Sequence, residues 1–141
     1  MATRVLLIED EPILVSLYAL VLAKAGFEVK TAMTLHDAEE HVVRGRPHVV
    51  LLDLLIPTGA AKESPMNLHE PTGFQLLRFV KDSPSLSHTK VLVLSNLDSD
   101  EHVQHAMKLG ADGYVIKSNM DPHELTERVA IALAAHGRSP Q

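Results

Sequence analysis

Three features of this sequence predict an α/β fold in which a five-stranded parallel sheet is covered by helices on both faces. Apolar runs of strand length alternate with segments of helical period. The alternation is strict, so successive strands must be joined by right-handed crossovers and pair in parallel. The first, third and fourth runs are also nearly continuous in apolar residues, as strands buried on both faces are.

The strand candidates, in order, are RVLLIE from Arg4, FEVKTA from Phe27, HVVLLD from His48, KVLVLS from Lys90 and GYVIK from Gly113. The first helical segment, EPILVSLYALVLAKAG, places Ile13, Leu17, Leu20 and Val21 on one predicted face. TLHDAEEHVVRG, GFQLLRFVKD, DEHVQHAMKLG and DPHELTERVAIALAAHG follow the next four strands. Thr34 with Asp37, and Asp121 with Glu124, have capping-box spacing, and Pro122 occupies a first helical position. Gly26, Gly45, Gly110 and Gly137 each follow a periodic segment, where a left-handed C-terminal cap favours glycine. Residues 58–72, TGAAKESPMNLHEPT, contain two prolines and no convincing period, which predicts a long loop. One domain is expected over residues 1–137, with that loop inside it and a frayed tail at 138–141.

Composition narrows the function. The chain has 141 residues, 45% hydrophobic and 22% charged, which suits one soluble globular domain. Thirteen Lys and Arg against eighteen Asp and Glu give a net charge of −5, and no basic patch stands out, so direct nucleic-acid and anionic-membrane binding are not expected. Cysteine is absent, which excludes disulfides and thiolate metal sites and fits a reducing cytoplasm. The longest apolar stretch, PILVSLYALVLA, is shorter than the roughly 20 residues that span a bilayer, and no targeting signal precedes it.

In an open parallel sheet, ligands bind beyond the carboxyl ends of the strands. There the predicted strands end in Glu9 and Asp10, Asp53, Ser95 and Lys117. Three acids, a hydroxyl and an ammonium would thus share one rim. Two carboxylates about 4 Å apart repel by on the order of 4 kcal/mol at an effective dielectric near 20. Lys117 can relieve one charge, and a divalent ion preferring hard oxygen ligands the rest. Magnesium, which takes one or two carboxylates and bridges to phosphate, suits such a site.

These residues also carry a family likeness. LLIEDEP, VVLLDLLIP, VLVLSN and LGADGYVIKS resemble, in order and spacing, the receiver domain of two-component response regulators over nearly the whole chain. The resemblance implies a doubly wound, flavodoxin-like sheet of strand order 2-1-3-4-5. It implies Asp53 as phosphoacceptor and a Mg2+ held by Asp10, Asp53 and the backbone carbonyl of Leu55, with Glu9 acting through water. It further implies that Lys117 and Ser95 bind the phosphoryl group and that Tyr114 turns inward as the switch. The implied partners are a sensor histidine kinase or a histidine phosphotransfer protein and a downstream protein, with a homodimer as a further candidate assembly. Only a few residues follow the last helical segment, so a stand-alone, cytoplasmic receiver is expected, acting by docking or relay and not as an enzyme beyond self-phosphorylation and slow autodephosphorylation.

The pattern departs from the family in places. The counterpart of a glycine usually about eight residues after the phosphoacceptor is Gly73, twenty positions after Asp53. Ser118 stands where proline usually forms a cis bond with the lysine. A cis bond before serine costs about 2.5–4 kcal/mol, so either a trans bond with a shifted Lys117 or a strained exception is expected. Leu55 and Leu97 are apolar where many receivers are polar, and Asn96 stands where a small residue is common. Ordinary alternatives exist for each residue: Glu9 to Glu11 as helix N-terminal acids, Ser95 as a cap, Lys117 as a surface lysine, Tyr114 as a packing residue. His102 and His105 share a helix face but lack a third ligand, so zinc is not expected there; His36, His41, His48, His69, His88, His123 and His136 read as solvated. Two other functions compete: a magnesium-dependent aspartyl-nucleophile phosphohydrolase, and a pseudo-receiver that works without phosphorylation.

Overall fold

The computed structural model describes residues 2–59 and 70–134. Ten regular elements alternate along them: β1 (Arg4–Ile8), α1 (Pro12–Lys24), β2 (Glu28–Ala32), α2 (Leu35–Gly45), β3 (Val49–Leu52), α3 (Gly73–Lys81), β4 (Lys90–Ser95), α4 (Asp100–Lys108), β5 (Gly113–Ile116) and α5 (Leu125–Ala134). All strand pairs are parallel and the sheet order is β2-β1-β3-β4-β5. Strand order reverses at β1 and β3, so the crevice between their carboxyl ends is where a ligand belongs.

The period-2 alternation of strand side chains divides the core in two. Leu6, Ile8, Val50, Leu52, Val91 and Val93 face α2, α3 and α4, packing on Ala38, Val42, Phe74, Leu77 and Ala106. Val5, Leu7, Val49, Leu51, Leu92 and Leu94 face α1 and α5, against Tyr18, Leu22, Leu125 and Val129. Burial on both faces explains the unbroken apolar runs of β1, β3 and β4. Edge strand β2 is mostly exposed, which matches its mixed sequence EVKTA.

Several details correct the expectations. Ile13 and Leu20 point to solvent, and α1 instead buries Tyr18 and Leu22, with Leu14, Leu17 and Val21 packed partly beside them. The segment is apolar all round, so its period did not identify the inward face. Gly45 ends α2 in helical conformation, and Arg46 takes the left-handed position (φ 45°), its guanidinium bonding the Ser85 carbonyl at 2.9 Å. The capping box of Asp121 and Glu124 forms, but on a 3-10 turn at Pro122–Glu124 that precedes α5. His48 is not solvated: its Nδ1 accepts the Arg4 amide at 2.9 Å, joining β1 to the start of β3. Of the long loop, residues 60–69 lie outside the described residues, as do Gly137 and the tail at 138–141. Among the described residues, no helix is long and apolar enough to cross a membrane.

Candidate functional site

The sheet delivers the acids by backbone pairing that continues past the strand ends. Glu9 N donates to Ala32 O at 3.0 Å and Asp53 N to Ile8 O at 3.1 Å. Each carboxylate is thereby set by its neighbour's main chain. The turn after Asp53 is tightened by the Leu55 amide, which donates to Asp53 Oδ1 at 3.0 Å. Gly73 closes the floor: its amide donates to Leu54 O at 2.8 Å, and a Cβ there would lie 2.6 Å from Leu54 Cα. No other residue fits that approach without moving the backbone beside Asp53.

Lys117 enters from the 3-10 turn Lys117–Asn119 that follows β5. Its Nζ donates to Glu9 Oε1 at 2.8 Å and to Asp53 Oδ2 at 2.9 Å. Ser95, fully buried at the end of β4, donates its hydroxyl to Asp53 Oδ1 at 3.3 Å. Glu9 and Asp53 are only 2% and 6% exposed, so their charges need this compensation. Burial pulls the Lys117 ammonium down, but its bonds to Glu9 and Asp53 and their charges outweigh that, and its pKa is held above the ordinary lysine value.

One ammonium does not balance three carboxylates. Oxygens of Glu9, Asp10 and Asp53 all lie within 4.8 Å of one another. Asp10 is exposed and has no hydrogen-bond or ion-pair partner among the described residues. Clustered hard oxygen donors, one of them unengaged, fit a small divalent cation. The residues present are thus chemically suited to a metal.

The structure brings Glu9, Asp10, Asp53, Ser95 and Lys117 together as their spacing predicts. Leu55 contributes its amide to Asp53, and its side chain is 53% exposed. Tyr114 lies part-buried against the α3–α4 core, with its hydroxyl donated to the Leu97 carbonyl at 2.5 Å. Burial first, then the charges of Asp53 and Asp98, push its phenol up to about 12. The Lys117–Ser118 bond is trans, like every peptide bond among the described residues, yet Lys117 still reaches both acids. Sequence reasoning did not single out Tyr18. It is buried on α1, and burial, countered by Lys117 and reinforced by Glu9 and Asp53, raises its phenol. Its place under the site was concealed by the uniformly apolar helix. His105 bonds Glu70 Oε2 at 2.9 Å, and Arg78 clasps the same carboxylate at 2.7 and 2.6 Å.

This arrangement can be set beside known proteins. The family profile described as the response regulator receiver domain matches residues 5–130. The oxygen regulatory protein NreC of Staphylococcus epidermidis is 33% identical over 93 residues, covering 66% of this chain and 37% of NreC. The chain therefore spans only about a third of that relative's length. The BeF3-activated receiver domain of RstA from Klebsiella pneumoniae superposes with a TM-score of 0.76 at 26% identity, covering 94% of this chain and 100% of that one. A response regulator structure from Chloroflexus aurantiacus shares the fold with a TM-score of 0.78 at 24% identity, covering 96% and 100%. With the profile spanning most of the chain, and the acids, hydroxyl and lysine meeting beyond the strand ends, the chain belongs to the response regulator receiver domain family.

Proposed function

We propose that Asp53 accepts a phosphoryl group from a phosphohistidine, and that this modification switches a protein-interaction surface in two-component signalling. The observation that carries the reading is the pair of bonds from Lys117 Nζ to Asp53 and Glu9. They put a buried cation against the carboxylate that must approach an anionic phosphorus. An Asp53 oxygen forms the new P–O bond as the P–N bond to histidine breaks, and the imidazole nitrogen keeps that electron pair. Little covalent assistance is needed; positioning and charge do most of the work.

Lys117 moves its hydrogen bond from the Asp53 carboxylate to a phosphoryl oxygen, and the Ser95 hydroxyl does the same from the other side. Asp10, Asp53, the Leu55 carbonyl and, through water, Glu9 would hold a Mg2+, whose charge offsets that of the phosphoryl oxygens. The acyl phosphate is lost when an in-line water attacks, so hydrolysis is slow self-reversal, not turnover. Ser95 and Tyr114 read out the new charge by bonds that form in one state of the β4–α4 loop and not the other. A histidine kinase or phosphotransfer protein supplies the phosphoryl group in the cytoplasm, and residues 1–137 act as one receiver unit. A homodimer is one candidate assembly for the switched surface.

Leu55 stands two residues after Asp53, where an aspartyl phosphohydrolase would carry its general acid, which weighs against that alternative. Incubation with a small phosphodonor and magnesium tests the proposal. Label that is stable in the native chain and absent in Asp53→Asn supports it; rapid release of phosphate from a free phosphomonoester indicates a hydrolase, and no label at all a pseudo-receiver.

A further inference from the structure

One side-chain bond links the residue after Ser95 to the residue after Lys117. Asn96 Oδ1 accepts the Ser118 amide at 2.8 Å. It lies just past the last pair of the β4–β5 ladder, Ser95 with Ile116, one residue further along the first strand and two along the second. The ladder supplies nothing there, because β5 ends at Ile116 and Lys117 opens a 3-10 turn closed by the Met120 amide on the Lys117 carbonyl at 3.2 Å. The donor exists only because residue 118 is not proline, and a backbone N–H leaves the Asn96 oxygen as the acceptor.

Lysine reaches the acids through a flexible four-carbon stem, so the position of its Cα decides where the ammonium can go. Two fixed points flank that Cα: Ile116 in the ladder and Ser118 on Asn96. The same bond anchors Asn96 immediately after the buried hydroxyl of Ser95.

We infer that Asn96 is a positioning residue for phosphoryl transfer, holding the turn that carries Lys117 in register with Ser95 by accepting the Ser118 amide. The inference rests on the function proposed above. Asn96 itself bonds neither Asp53 nor Lys117 among the described residues, and it is exposed. Its loss should therefore leave the fold and the acid cluster in place while loosening the approach of the ammonium. A displacement on the order of 1 Å at a reacting centre can cost as much as a hundredfold in rate.

The full chain and its Asn96→Ala variant are compared in three measurements. These are the rate of labelling by acetyl phosphate with magnesium, the affinity for magnesium alone by calorimetry, and exchange of the Ser118 amide proton by NMR. Expected are a labelling rate at least about tenfold lower in the variant, an unchanged magnesium affinity, and a Ser118 amide protected in the native chain but not in the variant. Equal labelling rates overturn the inference while leaving Asp53 as phosphoacceptor. Labelling and magnesium affinity that fall together also overturn it, since they mark a merely structural role. A freely exchanging Ser118 amide in the native chain overturns it without any variant. A native chain that takes no label at all overturns the proposed function and this inference with it.

Discussion

Lys117 and Glu9, near opposite ends of the chain, meet with Nζ 2.8 Å from Oε1, their side chains 9% and 2% exposed. The same ammonium pairs with Asp53 at 2.9 Å. Removing it strands two buried carboxylates, and breaking such a pair from one side costs on the order of 3 kcal/mol. Lys117→Met is thus expected to lower the urea midpoint in chelator, and magnesium to restore part of the loss by neutralising the same acids. The lysine's pKa is raised in the fold, so its contribution is full below the ordinary value of 10.5 and vanishes as pH rises through the folded value. A midpoint indifferent both to Lys117→Met and to magnesium would contradict this account.

Gly73 packs against the backbone of Leu54 with no room for a Cβ. Gly73→Ala must push α3 or the Asp53 loop aside. The expected cost is roughly 2 kcal/mol, read from denaturation. A slower phosphorylation rate should accompany it because the displaced strand end carries Asp53, the proposed acceptor. Loss of stability with an undisturbed labelling rate would mean that α3 yields and the loop does not.

His48 gives a pH dependence of calculable sign. Its Nδ1 accepts the Arg4 amide, so a proton there would put donor against donor. Burial first, then Arg4 and His88, hold its pKa below the ordinary 6.5. The stability that depends on neutral His48 is therefore complete above 6.5 and is lost as pH falls through the folded value. Between about pH 7 and about pH 5, the native chain should lose more stability than His48→Asn, which offers an acceptor that does not titrate. Parallel curves for the two would place the titration elsewhere.

How much of this was legible in the sequence depended on what kind of signal each feature leaves. Strand ends and their polar termini are local and periodic, so Glu9, Asp53, Ser95 and Lys117 could be placed on one rim, and KVLVLS maps onto β4 residue for residue. Contacts without a period were not visible. α1 is apolar on every side, so Tyr18 could not be told from Leu20 until the sheet selected a face. Gly45 had the right spacing for a left-handed cap, but the next residue could take that conformation and still bond Ser85, a partner far along the chain. Asn96 looked out of place only while Ser118 was considered apart from it; the bond joining them makes sense of both departures.

Tyr114 donates to the Leu97 carbonyl while its ring packs on the α3–α4 core. The two interactions can be separated by substitution. Tyr114→Phe keeps the packing and loses a hydrogen bond worth about 1 kcal/mol, so the affinity of the phosphorylated state for a downstream protein should change by about fivefold at most. Tyr114→Ala loses both and should uncouple binding from phosphorylation. Titration of a partner against native and variant chains checks this; an affinity unchanged in Tyr114→Ala would remove Tyr114 from the switch.

Leu55 and Leu97 set the last expectation, the lifetime of the phosphorylated state. The Leu97 amide donates to Ser95 Oγ at 3.3 Å, and its side chain packs partly on the core. Leu55 extends half-exposed from the turn that carries Asp53. Neither side chain can hydrogen-bond a water in line with the P–O bond proposed for Asp53. Attack by water then lacks an orienting acceptor, and ordered approach is a large part of such rates. Hydrolysis of the native acyl phosphate should therefore be slow. Leu97→Glu and Leu55→Asn should each shorten its half-life by about tenfold, measured as label lost after the donor is removed. Because only the side chains change, and the Leu55 and Leu97 amides that bond Asp53 and Ser95 are kept, the rate of label uptake should change much less. Half-lives equal to the native one in both variants would show that the leucines do not govern access, and that water is excluded by some other part of the rim.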